Sequence, residues 1–138
     1  MQHDEELTSL LVEFHEKFAS WEQCVVRGKP LTLQQIHAME ILCGHGRLTM
    51  KELAEKMGVT TGSLTVLVDR LEKKGIVERQ PHESDRRSIR LGMTAKGEQL
   101  AAEHHDLHLG LTRELTACLS PEETNQLINL LRKMLPFF

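Results

Sequence analysis

The stretch that decides the fold is Asp85-Arg86-Arg87-Ser88-Ile89-Arg90-Leu91-Gly92-Met93-Thr94-Ala95-Lys96-Gly97. From Ile89 to Met93, apolar side chains alternate with polar or small ones, which is the period of a half-buried strand. A partner strand is predicted over residues 76–80, directly after a helix-ending glycine. The two strands form a hairpin with arginines at its tip, and Thr94 is placed to cap the helix that follows.

Four helices are predicted before this hairpin. The first is an amphipathic helix over residues 5–25. Threonine capping boxes over residues 32–35 and 49–52 open the second and third helices. The third helix covers residues 50–57 and ends at a glycine, after which Thr60 caps the fourth helix. Two short helices joined by a tight turn that contains glycine are typical of a helix-turn-helix.

Two more helices are predicted after the hairpin, one over residues 94–118 and one that begins at Ser120-Pro121. The first, fifth and sixth helices carry more apolar surface than the small central module can cover, so a homodimer is expected. The predicted fold is mainly α with a small β-hairpin wing. It is one winged helix-turn-helix domain, with a DNA-binding module over residues 31–97 and flanking dimerisation helices over residues 1–30 and 98–138.

Composition and charge narrow the function. The chain has 138 residues, 40% of them hydrophobic and 27% charged, which fits a single globular domain. No segment resembles a membrane span or a signal peptide, and three cysteines fit free thiols, so a cytoplasmic protein with no membrane partner is expected. The formal net charge is −3, yet residues 60–96 hold eight Lys or Arg against five Asp or Glu. A basic central segment between acidic ends is typical of a module that binds the phosphates of a nucleic acid.

The fourth helix and the hairpin together predict a surface for double-stranded DNA. Small hydroxyl residues at a helix start can approach base edges in the major groove, and Thr61 and Thr65 are the favoured readers. Arginines at the wing tip suit the minor groove or phosphates. The alternatives are that the basic residues form only a solvated surface, or that the chain is an interaction module without DNA binding. The predicted DNA-binding residues are Thr60, Thr61, Ser63, Thr65, Arg70, Lys73, Arg86 and Arg87.

These motifs resemble those of a known protein family. Asp85-x-Arg87 followed by Leu91-x-Met93-Thr94-x-x-Gly97, and preceded by Val68-x-Arg70-Leu71-Glu72-x-x-Gly75-x-Val77-x-Arg79, resembles the MarR family of winged helix-turn-helix regulators. The resemblance covers nearly the whole chain, and Met93 stands where the family usually has leucine. It implies a dimeric transcription repressor with effector-controlled affinity for a pseudo-palindromic operator, whose dimer interface is built from the first, fifth and sixth helices.

The fifth helix also contains Glu103-His104-His105-Asp106-Leu107-His108. At about 100° per residue, His104 and His108 point the same way, in or beside the apolar stripe, whereas His105 faces outward. Histidines on an inward face need hydrogen-bond partners or a metal ion. The spacing alone leaves open whether they are satisfied interface histidines, part of a His-rich exposed run, or ligands of a shared zinc ion.

Zinc-responsive members of the MarR family, the regulators of zinc uptake, carry Glu-His-x-x-x-His on this helix and another histidine early on the second helix. The resemblance implies zinc as a co-repressor, with a glutamate from the first helix as fourth ligand. Glu16 is the choice for that glutamate, with Glu22 and Cys24 as rivals. The implied ligands are Glu16, His37, His104 and His108. A second, weaker site would use Cys24 and Glu103, but Ile36 replaces its glutamate, so at most one firm site per subunit is expected.

Rival functions use the same residues differently. In one, a small organic ligand, phenolic or drug-like, binds between the dimer helices and the DNA-binding module and releases the DNA. In another, the effector is oxidation of a thiol at Cys24 or Cys43, although Cys43 and Cys118 are predicted to be packing residues. A metalloenzyme is the remotest alternative, because a zinc hydrolase of the zincin type needs a glutamate at the position of His105. We therefore predict no catalytic residues and no enzyme.

Overall fold

The computed structural model describes residues 2–81 and 89–138, and it is mostly helical with one small antiparallel sheet, as predicted. The first half of the described chain holds four helices and a short strand, and the second half holds a hairpin and two helices. The elements are α1 (Gln2–Val26), α2 (Leu33–His45), β1 (Leu48–Thr49), α3 (Met50–Met57), α4 (Thr61–Lys73), β2 (Val77–Pro81), β3 (Ile89–Met93), α5 (Ala95–Thr116), α6 (Pro121–Met134) and a 3₁₀ turn (Leu135–Phe137).

Local capping explains where the helices begin. The Thr32 hydroxyl accepts the Gln35 amide at 3.2 Å, and the Gln35 side chain accepts the Thr32 amide at 3.1 Å, so the first predicted capping box is complete. Thr49 caps α3 in the same way, but the Glu52 carboxylate accepts the Thr49 hydroxyl rather than its amide, so the second box is only half formed. Gly58 has φ +68°, which ends α3 in the left-handed conformation and sets up the turn into α4.

The sheet has three strands in the order β1-β3-β2. The hairpin of β2 and β3 was predicted, whereas β1 was not, because a two-residue strand has no periodicity of its own. Leu48 of β1 faces Leu91 of β3, and both side chains are buried. Ile89 was expected on the same half-buried face, but its side chain is exposed, since the hairpin extends beyond the helices that cover Leu91.

The chain divides into two compact units, residues 1–101 and residues 102–138. The core of the first unit is formed by α2, α3, α4 and the sheet, and includes the fully buried Leu53, Leu64, Leu71 and Leu91. The start of α5 is fixed to this unit because Thr94, whose hydroxyl accepts the Gly97 amide at 3.1 Å, donates its own amide to the Ile76 carbonyl at 3.0 Å. A side chain at Gly97 would overlap the carbonyl oxygen of Ile76, so glycine is required there for the close approach of α5.

Two helices leave most of their apolar residues uncovered. In α1 the only buried side chain is Val26, and in α6 none is buried, although both helices are amphipathic. The Glu13 and Lys17 side chains pair one turn apart on α1 at 2.7 Å, and the hydrogen bond from Lys17 lowers the pKa of Glu13. None of the helices within residues 2–81 and 89–138 is long and apolar enough to span a membrane.

Candidate nucleic-acid interface and histidine pair

The recognition surface proposed from the sequence lies on α4. One face of this helix is locked into the core through Leu64, Val68 and Leu71, which are all buried. Its first turn, Thr61 to Ser63, and Thr65 in the second turn are exposed. The helix therefore offers small side chains on a rigid support, which is the arrangement that direct contact with base edges requires.

The four hydroxyl residues of this region differ in what they can offer a partner. The Thr60 hydroxyl accepts the Ser63 amide at 3.2 Å and lies 3.1 Å from the Ser63 hydroxyl, so both are engaged in the helix cap. The Thr65 hydroxyl donates to the Thr61 carbonyl at 2.8 Å, which leaves its lone pairs and methyl group available. Within the described residues, no partner is recorded for the Thr61 hydroxyl, which can both donate and accept.

Basic and acidic side chains alternate along the C-terminal half of α4. Arg70 and Lys73 are exposed. The guanidinium of Arg79, on β2, donates to the Asp69 carboxylate, and its Nε lies 3.6 Å from a Glu72 carboxylate oxygen. Because this arginine offsets one of the two carboxylate charges, Arg79 and the C-terminal half of α4 together carry a net charge of +1, from three basic and two acidic side chains. The same contacts tie the hairpin to the recognition helix.

A second polar contact holds the far end of α4. Lys74, which follows the last residue of the helix, donates to the Gln35 side chain at 3.2 Å and to the Pro30 carbonyl. Gln35 is only 4% exposed, although it is polar, and its amide oxygen also serves the cap of α2. The sequence analysis found Gln35 as a capping residue but missed this contact, because its partner is 39 positions away in the chain.

The sheet adds two arginines that the sequence analysis did not select. Arg47 precedes β1, and its side chain lies where a Cβ on Gly92 would touch it at 3.4 Å. Arg90, on β3, is half-buried, and its Nε has no hydrogen-bond partner among the described residues. Position 90 could have been suspected from its place two residues from Gly92 on the same strand face. The predicted wing residues Arg86 and Arg87 lie outside the described residues.

A cavity of about 470 Å³ adjoins α4 within the first unit. Its walls come from the end of α1, the start of α2 and one side of α4, and include Gln23, Leu33, Ser63, Val66, Leu67 and Arg70. Its volume falls within the usual range for sites of small organic ligands. Arg70 would supply a positive charge to an occupant, while leucine and valine side chains supply apolar contact.

The histidines of α5 have the orientation expected from the helical period. His104 is 6% exposed, His108 is half-buried and His105 is exposed. The Nε2 atoms of His104 and His108 lie 3.0 Å apart, and the ring centroids are 4.8 Å apart with the rings inclined by 68°. Two nitrogens at this separation either share a proton in a hydrogen bond or point at one ion.

The other predicted ligands are placed at the surface. Glu16, Cys24 and His37 lie in the first unit and Glu103 in the second, and all four are exposed. Glu22, the rival of Glu16, is half-buried. The prediction that Cys43 and Cys118 are packing residues is not met within the single chain, where both side chains are exposed. Cys43 stands in the last turn of α2, where Leu42 alone is buried.

Comparisons with known proteins agree with this geometry. The sequence model of the MarR family matches residues 31–89. The uncharacterized HTH-type transcriptional regulator YfiV of Bacillus subtilis (strain 168) is 38% identical over 94 residues, which are 67% of this chain and 58% of that relative. Wild-type MarR from E. coli, in its apo form, is 30% identical over 94% of this chain and 97% of its own, with a TM-score of 0.75. This chain belongs to the MarR family.

The MarR family consists of transcription regulators and not of enzymes, in agreement with the absence of a catalytic motif in the sequence. A further solved structure shares the fold at lower identity. FabT of Streptococcus pneumoniae, in complex with DNA, is 24% identical, covers 96% of this chain and 95% of its own, and has a TM-score of 0.83. The MarR fold thus matches along nearly the whole chain, well beyond residues 31–89.

Proposed function

We propose that this protein is a DNA-binding transcription repressor that acts as a homodimer on a pseudo-palindromic operator. The observation that carries the proposal is the surface of α4, which is small, polar and exposed at its start and fully buried on the opposite face. FabT, which shares the fold, is bound to DNA in its crystal structure. Occupation of an operator that overlaps a promoter would block transcription.

In this proposal the DNA-binding module is residues 31–97, and its polar side chains have separate roles. Thr61, Ser63 and Thr65 meet base edges in the major groove, because their short side chains let the helix approach closely. Thr60 acts through the cap that orients the first turn. The longer basic side chains hold the phosphates on either side, and those of the wing reach the minor groove or its rim. These are Arg70, Lys73, Arg86 and Arg87.

The homodimer is supported by the uncovered apolar surface of the flanking helices, over residues 1–30 and 98–138. Along α6 the large apolar side chains are all exposed, as are most of those on α1. Soluble proteins rarely leave contiguous apolar surface of this extent in water. A second copy would cover it through an interface related by two-fold symmetry, and the same symmetry would present two recognition helices to the two halves of the operator.

The proposed effector is zinc, acting as a co-repressor bound through His104 and His108. The fit is supported by their chemistry and geometry, since two imidazole nitrogens 3.0 Å apart suit a metal that prefers nitrogen ligands in a tetrahedral arrangement. Glu16 and His37 are the remaining ligands that the family resemblance implies, with Cys24 and Glu103 as the weaker pair. A bound zinc ion would supply a fixed cross-link between helices, which favours whichever arrangement of the dimer binds DNA.

The experiment measures fluorescence anisotropy of the protein on a duplex that the wild-type protein selects from a random library, at constant salt. Free zinc is either buffered at a trace level or removed by a chelator. We expect zinc to tighten specific binding by about tenfold or more, a coupling of roughly 1.4 kcal/mol. His104→Ala should abolish the gain. His105→Ala is the matched control, because this exposed neighbour on the same helix should keep it.

The outcomes separate the parts of the proposal. If no duplex is selected with or without zinc, DNA binding itself is wrong. If zinc does not change specific binding, or if His105→Ala behaves like His104→Ala, the proposed zinc site at the histidines is wrong. The proposed DNA-binding repressor is then unaffected. The cavity beside α4 then favours a small organic ligand, which a panel of phenolic acids would test by release of the bound duplex. Release by peroxide and recovery with dithiothreitol would instead identify thiol oxidation.

A further inference from the structure

Val66 is an apolar residue in the middle of the exposed face of α4. Its side chain is 53% exposed, although every other large apolar residue of this helix is buried or half-buried. At 100° per residue, Val66 points roughly 170° away from the mean direction of Leu64, Val68 and Leu71. It therefore lies at the centre of the surface that the proposed function turns toward DNA.

Gly62 occupies the same face one turn earlier, and the fold does not explain it. Its φ is not in the left-handed region, where four other described glycines are found. A Cβ at this position would meet only the Thr60 hydroxyl at 4.0 Å, which is ordinary van der Waals contact. Glycine destabilises a helix relative to alanine, so a glycine with open space around it gives up stability without a packing reason. Gly97 is the opposite case, since packing against Ile76 excludes any side chain there.

A helical side chain covers the surface over the turn that precedes its own Cα, so Val66 lies over the gap that Gly62 leaves. On the helical wheel Thr65 lies to one side of this pair and Ser63 to the other, and both are exposed. The C5-methyl of thymine is the apolar group that base pairs display in the major groove. Polar residues beside an apolar centre match this methyl between hydrogen-bonding base edges.

We propose that Gly62 and Val66 form a thymine-reading notch, in which Gly62 lets the helix backbone approach the groove floor and Val66 contacts a thymine methyl group. The proposal rests on the proposed function and deepens it, because it names residues that determine specificity and the base that they select. It requires a thymine at one fixed position in each half of the operator. Val66 also lines the cavity beside α4, and a role limited to that cavity would leave thymine recognition unaffected.

The first test combines a substitution in the protein, Val66→Ala, with a substitution of single bases in the DNA. Each thymine of the duplex selected by the wild-type protein is replaced by uracil, which removes only the methyl group, and affinity is measured by anisotropy. Burial of one methyl is worth about a fourfold change in affinity. We expect one position in each half-site where uracil weakens wild-type binding by that factor and weakens binding by Val66→Ala less than about 1.5-fold.

Val12→Ala is the matched control, because Val12 is 51% exposed on α1, lies about 140° around that helix from Leu7 and so away from its apolar face, and loses the same two methyl groups. This variant should respond to uracil as the wild type does. If no position separates the wild type from Val66→Ala, the notch is overturned while DNA binding stands, since the wild type has selected the duplex. If the wild type selects no duplex, both the notch and the proposed function fail.

The second test uses Gly62→Ala, which should move stability and binding in opposite directions. The melting temperature should rise by roughly 2–6 °C, because alanine is the better helix former and meets no close contact. Operator affinity should fall by about tenfold or more, because the added methyl stands where the groove floor approaches. Unchanged affinity would contradict the notch, and a lower melting temperature would show that Gly62 has a structural role instead.

Discussion

The helices α4 and α6 are alike in sequence pattern and opposite in environment. They have 13 and 14 residues, and a hydroxyl residue caps each of them, Thr60 in one and Ser120 in the other. Both are amphipathic, yet α4 buries Leu64, Val68 and Leu71, whereas α6 buries no residue and leaves Leu130 55% exposed. An amphipathic pattern therefore predicts that the apolar face of a helix is covered. It does not predict whether residues of the same chain or of a second copy cover it.

The largest expected effect comes from a substitution on the buried face of α4. Leu64→Ala on α4 should lower the free energy of unfolding by about 3–4 kcal/mol, because it leaves a cavity among fully buried side chains. Urea unfolding measures this loss. Val66→Ala on the opposite face of the helix is the control and should change the free energy by less than about 0.5 kcal/mol. Equal losses would mean that α4 does not divide into a buried and an exposed face.

The next effect concerns the exposed apolar face of α6. Leu131→Glu should raise the dissociation constant of the proposed homodimer by about a hundredfold or more, since a charge would be buried in the proposed interface without a partner. Sedimentation velocity over a range of protein concentrations measures it. Asn129→Glu introduces the same charge on the polar side of α6 and should leave the dimer intact. A Leu131→Glu protein that remains dimeric would place the subunit interface elsewhere.

A smaller effect compares the two caps. Thr60→Ala and Ser120→Ala should each cost about 1 kcal/mol of helix stability, because each removes the hydroxyl that accepts a first-turn amide. In α4 that loss should also weaken operator binding, since the capped turn carries Thr61 and Ser63. Amide hydrogen exchange locates the frayed turn in each variant. Loss of protection outside the affected first turn would show that the caps stabilise more than their own helices.

The smallest effect is on the polar side of α4. Arg79→Gln should lower the free energy of unfolding by about 0.5 kcal/mol, because the ion pairs with Asp69 and Glu72 are partly exposed and screened by water. The difference from wild type should vanish in 1 M NaCl, where the screening length falls to about 3 Å. Urea unfolding at low and high salt measures both values. A loss that persists at high salt would mean that Arg79 acts by packing rather than by charge.

The features that could be predicted from the sequence are those decided within a few residues. The Thr60 hydroxyl accepts the Ser63 amide at the start of α4, and the Gly58 amide donates to carbonyls three and four positions earlier at the end of α3, so the structure places both limits as predicted. The exposed hydroxyl residues of α4 and the inward histidines of α5 follow from helical period alone. Such local predictions are reliable because no distant segment of the chain competes for the same hydrogen-bonding groups.

Other features depend on contacts between distant segments and could not be predicted. The strand β1 exists because Leu48 meets Leu91, 43 positions later in the numbering. Cys43 shows the limit of the helical period, since it lies near the buried face of α2 but past the last turn that the core covers. The sequence pattern does not assign Val66 to either face of α4, and only the structure shows that its side chain is exposed.

The polar contacts of Lys74 and Arg79 hold the C-terminal half of α4, and the buried Leu64 holds its other end, so the helix can turn only together with the core around it. A helix of 13 residues is about 20 Å long, so a turn of about 5° about its C-terminal end moves the Thr61 end by roughly 1.7 Å. That displacement exceeds the spread of about 0.5 Å in ordinary hydrogen-bond lengths. A small rigid-body rotation that leaves the core intact is therefore enough to take Thr61 out of hydrogen-bond range of a base edge.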